Sequence, residues 1–183
     1  LVDMTPINYG RNVKAYQRIA QATGVHVICC TGFHKQLFMP PWFGDKTDGE
    51  LYDILMDEVT NGLDDTEIHP GVIKLGTSFE EVTAAEKRSI EAVARVHRDT
   101  GIPISTHCDK GTMGMDQLRC WKNTVSIRRM CCCATLTARW IRTMPSGFAA
   151  RALPFAWTML AENCRIAIPF ACGWSRRWWR PAA

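Results

Sequence analysis

The feature that most restricts the fold is an alternation over the first 118 residues. Short apolar, β-branched runs take turns with longer segments of helical period. Val2 opens a brief apolar stretch that runs to Thr5. Val13, Tyr16, Ile19 and Ala20 then recur at helical spacing, and Gly24 supplies a stop. Residues 25–31 (VHVICCT) have the length and composition of a strand. A loop over residues 32–46 carries Pro40, Pro41 and Gly44. Thr47 and Glu50 form a capping-box pair, and Leu51, Ile54, Leu55 and Val59 give the following helix one apolar face. Residues 71–76 (GVIKLG) read as a strand. Thr83 and Glu86 form a second capping box, and Ile90, Val93, Ala94 and His97 carry that helix to Gly101. Residues 102–107 (IPISTH) read as another strand.

Strands separated by helices predict βαβ units and a parallel sheet. Apolar runs without clean polar alternation fit strands buried on both faces. The expected fold class is α/β, as either a doubly wound sheet or a (β/α)8 barrel. No strand is followed by a Gly-rich phosphate fingerprint, since TPINYGR and TGFHK are not GxGxxG. That disfavours the dinucleotide-binding form. A whole barrel needs about 250 residues, so four strands in this length predict part of one.

Composition divides the chain at the end of this pattern. Residues 1–118 hold 11 Lys and Arg against 17 Asp and Glu, whereas residues 119–183 hold 11 against one acid, Glu162. All five His precede residue 119, and six of the seven Trp follow it. The expected organisation is therefore a partial barrel over 1–118 and a poorly structured tail over 119–183. The chain starts with Leu1 rather than Met, which reads as a fragment. No run of apolar residues is long enough to span a bilayer.

In both α/β architectures chemistry collects at the C-terminal ends of parallel strands. Lys74 sits inside an otherwise apolar strand. A buried ammonium is costly, so such a lysine is paired, neutralised or modified. A strand-end lysine reaching water, a Schiff-base lysine and a metal ligand are the open readings. His107 ends the next strand, in STHCDKG, as a satisfied polar residue or a metal ligand. The TGFHK segment allows a turn at Gly32 with Phe33 packed and His34 solvated. Cys29, Cys30 and Cys108 lack metal-ligand spacing and read as reduced apolar fillers of an intracellular, cytoplasmic protein.

Taken together, DMTPINYGRN, GVHVICCTGFHK, GVIKLGTS and GIPISTHCDKGTMG resemble, in order and spacing, the phosphotriesterase family of amidohydrolase-type metal-dependent hydrolases. The resemblance covers residues 1 to about 118, as strands two to five of that family's barrel. It implies a (β/α)8 barrel with two divalent metal ions, usually zinc, at its C-terminal face. It implies that Lys74 is the carboxylated lysine bridging the metals and that His107 is a histidine ligand. It places Phe33 and His34 beside a small-molecule substrate, a phosphotriester, lactone or other ester. The family's first-strand HxH pair has no counterpart here. Its sixth-strand histidine and eighth-strand aspartate have none either, because residues 119–183 contain neither His nor Asp. With so incomplete a ligand set, the chain is expected to be inactive and not to hold both metals.

The tail reads as translation in a shifted frame. Trp121 before Lys122 forces a Glu codon in the shifted frame, Met130 before Cys131 forces Val, and Trp140 before Ile141 forces Asp. Residues 119–144 then give VLEEHGVDPADVLLCHLDREVDPDY, a helix followed by a strand with the missing His-Leu-Asp. The adjacent Cys131, Cys132 and Cys133 do not suit a tetrahedral site. The other functional class is a non-catalytic module whose Arg- and Trp-rich segment 174–180 binds nucleic acid or an anionic membrane. The hydrolase reading needs neither partner.

Overall fold

A computed structural model of the chain describes residues 1–122 and the pair 130–131. The segment 174–180, Cys132, Cys133 and most of the shifted-frame stretch lie outside the described residues.

Four parallel strands form one sheet in the order β1–β2–β3–β4: β1 is Cys30–Gly32, β2 Val72–Thr77, β3 Ile104–Cys108 and β4 Met130–Cys131. Helix α1 (Val13–Thr23) precedes β1, and α2 (Asp48–Asn61), α3 (Ala84–Thr100) and α4 (Gly114–Lys122) fill the three crossovers. Consecutive parallel strands joined by helices are the βαβ pattern expected from the sequence. No helix among the described residues is long and apolar enough to cross a membrane.

The helix ends follow the local chemistry. Both capping boxes form: Thr47 with Glu50 at α2, and Thr83 with Glu86 at α3. Gly24 and Gly101 close α1 and α3 in the left-handed conformation, where a Cβ would be penalised. The strands shift from the sequence reading because a strand needs a ladder. Gly71 N donates to Cys29 O, and register with β2 begins at Cys30. Upstream, the run is reduced to a parallel bridge between Val2 and Ile28. At the other end β2 and β3 extend one residue further than expected, because Thr77 and Cys108 pair with each other.

Side chains alternate across the sheet. Ile73, Leu75 and Ile104 face the helices and meet Leu51, Leu55, Val59, Ile90, Val93 and Val96 in the main core. Lys74, Gly76, Ser105 and His107 share the opposite face, since Lys74 pairs with Ser105 and Gly76 with His107. Outside the sheet, Arg11 is bound between Glu58 (2.5 Å) and Asp64 (2.6 Å) and donates to Cys30 O, which ties the entry to α1 and the exit from α2 to β1.

Glu86 does more than cap its helix. It is fully buried, and it accepts from Gln36 N (2.9 Å), Ser78 Oγ (2.6 Å) and Thr83 N (3.0 Å). One carboxylate thus holds together the loops that follow β1 and β2. Glu86→Ala is expected to cost about 2–3 kcal/mol, clearly more than Glu50→Ala at the exposed box. Equal shifts in urea midpoint for the two variants would contradict this.

Candidate metal centre

The end of β1 delivers the first part of the site. Gly32 (φ 109) turns the chain directly over β2, where a Cβ would lie 2.0 Å from Lys74 O. Phe33 N donates to that same carbonyl at 3.1 Å. The Phe33 ring is fully buried in the main core, edge-on to Phe43 at 5.0 Å between centroids. His34, the next residue, passes over Gly76, where an added Cβ would sit 2.6 Å from its Nδ1. The absence of a side chain at Gly76 therefore makes room for the imidazole. Lys35 N donates to Nδ1 at 2.7 Å, so the neutral ring carries its proton on Nε2.

His34 is not solvated: it is 7% exposed. Its ring lies 5.0 Å from His107, 4.8 Å from Tyr9 and 5.3 Å from Phe38. Lys74 is 8% exposed, on the same face of the sheet. Lys35 and Asp109 close the edge with a 2.5 Å ion pair between the loops after β1 and β3. On the outer face Gln117 is buried beneath His107, with Thr106 and Thr77 as partners. The structure thus brings Lys74, His107 and His34 together and puts Phe33 in the core behind them. Tyr9, Phe38, Asp109 and Gln117 were not anticipated from the sequence, because each belongs to the site through tertiary contact alone.

The electrostatics favour neutral imidazoles. Burial lowers His34 to about 4, with further lowering from Lys74 and His107. Burial lowers His107 as well, again helped by Lys74. An unprotonated imidazole is the form that binds a metal ion. A lysine becomes an anionic oxygen donor only after carboxylation, which would also remove a buried positive charge. The two neutral imidazoles fit a divalent ion. Among the described residues, however, no group of three or more His, Cys, Asp or Glu is gathered to hold one.

The fold and site define a class: part of a parallel (β/α)8 barrel, with titratable side chains collected at the C-terminal ends of its strands. The model of the phosphotriesterase family matches residues 1–134. The chain belongs to the phosphotriesterase family. A phosphotriesterase homology protein of Escherichia coli is 36% identical over 119 residues, covering 64% of this chain and 41% of that protein. Its crystal structure with phosphate in the active site superposes with a TM-score of 0.69 at 34% identity, over 72% of this chain and 46% of that one. A lactonase from Listeria monocytogenes gives a TM-score of 0.69 at 26% identity, over 85% and 51% of the two chains. An aryldialkylphosphatase of Saccharolobus solfataricus is 25% identical over 120 residues, 65% of this chain and 38% of the relative. The chain spans about two fifths of the length of these curated relatives.

The cysteines among residues 1–118 are buried free thiols. Burial raises Cys29 to about 11, Cys30 to about 12 and Cys108 to about 11, from an ordinary 9.0. The thiolate is the reactive form. All three should resist iodoacetamide at pH 8 in the native chain and label fully in urea. Because the folded chain keeps these protons longer than the unfolded one, their contribution is complete below pH 9. It is lost as pH rises from 9 through 11–12. Native labelling at pH 8 as fast as in urea would contradict this burial.

Proposed function

We propose that the site belongs to a hydrolase of phosphotriester, lactone or other ester bonds, working in the cytoplasm at a binuclear zinc centre. The observation that carries this reading is the convergence of Lys74, His107 and His34 on one sheet face, at the strand ends of a phosphotriesterase-family fold. In this reading Lys74 and His107 are metal ligands, and His34, with Phe33 behind it, stands on the substrate side. The neutral Lys74 amine attacks CO2, forming the N–C bond and releasing one proton to solvent, which leaves an anionic carbamate. Lys74 and His107 would hold the divalent ions, whose chemistry there would be Lewis-acid polarisation of the scissile bond and a lowered pKa for bound water. His34 offers Nε2–H to a substrate oxygen, and the rings of Tyr9 and Phe38 narrow water's access beside it. A small-molecule ester or lactone suffices as partner, with no role for nucleic acid or a membrane.

The chain as given is proposed to be inactive, since Lys74 and His107 supply two ligands and residues 119–183 add no His or Asp. A frame shift near residue 119 accounts for that lack. That reading rests on the shifted-frame residues forced by Trp121, Met130 and Trp140 and on the compositional change at residue 119; the family model matches past that point, to residue 134. Just past the change, Trp121 is buried with no hydrogen-bond partner for Nε1 among the described residues.

Sequencing the source DNA across codons 115–125 tests the frame: a missing or added base is expected, and an intact frame overturns the shift. With zinc or manganese, the chain as given is expected to hydrolyse an aryl phosphotriester, a lactone and an aryl ester no faster than Lys74→Ala. Turnover abolished by both Lys74→Ala and His107→Ala would overturn the claim of inactivity. The full gene product, with the frame restored and the coding sequence upstream of Leu1 included, is expected to hydrolyse at least one of these substrates, and failure on all three would overturn the hydrolase reading.

A further inference from the structure

Gln117 lies on α4, on the helix side of the sheet, and is 1% exposed. It cannot touch anything bound on the opposite face, where Lys74 and His107 lie. Its amide is nevertheless fully engaged with the strands that carry them. Thr106 Oγ1 donates to Gln117 Oε1 at 2.6 Å. Gln117 Nε2 donates to Thr77 Oγ1 at 2.6 Å and to the backbone carbonyl of His107 at 3.1 Å. Thr77 is on β2 and Thr106 on β3, so one side chain pins the two strand ends together.

The His107 carbonyl is the informative contact. His107 sits inside the ladder with β2, where Gly76 pairs with His107 and Thr77 with Cys108. Gln117 Nε2 adds a side-chain donor to the His107 carbonyl from the helix side. Together with the ladder it holds the peptide plane, and with it the direction of the His107 Cα–Cβ bond. Turning the Gln117 amide over would set its oxygen against the His107 carbonyl oxygen, which cannot donate, so the arrangement has one orientation.

We propose that Gln117 is a positioning residue: acting through the backbone from behind the sheet, it sets where the His107 imidazole sits relative to His34 and Lys74. Its catalytic weight rests on the reading of His107 as a ligand, whereas its effect on the ring does not.

The test uses imidazole NMR spectra of the full chain, with His signals assigned by single substitutions and no metal added. Gln117→Met keeps length and loses the amide. Gln117→Glu keeps the acceptor for Thr106 and loses the donor to His107. Both are expected to displace the His107 signal and, through the ring contact, that of His34. His69 and His97, which contact the carbonyls of Val59 and Ile102, should keep theirs. Unchanged His107 and His34 signals in either folded variant would overturn the proposal. So would equal displacement of all four in a variant whose circular dichroism is native. If both variants fail to fold, Thr77→Val removes one Gln117 partner, and a smaller displacement confined to His107 and His34 is expected; no displacement there overturns it. Zinc added to the wild-type sample separates the two claims: an unmoved His107 signal counts against the ligand reading and leaves the Gln117 result standing.

Discussion

The site depends on the register between β2 and β3. Gly76 opposite His107 puts Lys74 and His107 on one face of the sheet, two pairs apart along it. A slip of one residue would send one of them into the helix-packed core, because side chains alternate with period two. The register is held from the helix side by two kinds of contact. Ile73, Leu75 and Ile104 bury the outer face against α2 and α3. Gln117 ties Thr77 to Thr106 where the apolar packing ends. Pairing first and polar ties second explain how a short stretch of sheet can set two side chains on one face.

The same face gathers basic groups that would repel one another if all were charged. Lys74, His34 and His107 converge there, and the nearby acid, Asp109, is engaged by Lys35. Burial resolves part of the conflict by holding both imidazoles neutral.

Local signals in the sequence marked the helices well. The Thr47–Glu50 and Thr83–Glu86 boxes and the glycine stops at 24 and 101 appear where the residues put them, because caps are made within a few residues of chain. Strand ends were less legible, since they depend on which neighbour is available to pair. Lys74 and His107 stood out as polar residues in apolar runs. His34 did not: from the residues alone it could be solvated, and its burial depends on the empty space above Gly76, forty-two residues away in sequence. Glu86 was visible as a cap but not as the tie between two loops. Gln117 carried no local signal, because an amide in a helix means little until its partners on two strands are known. The compositional change at residue 119 was plain in the sequence, yet it falls inside α4 rather than between elements.

Zinc titration of the wild-type chain followed by imidazole NMR, in bicarbonate buffer, tests the central claim most directly. The account predicts that His107 responds first, that His34 follows, and that His26, His69 and His97 do not move. It also predicts that Lys74→Met weakens the response. A uniform response of all five histidines, or one that Lys74→Met leaves intact, would contradict a metal site at the ends of β2 and β3.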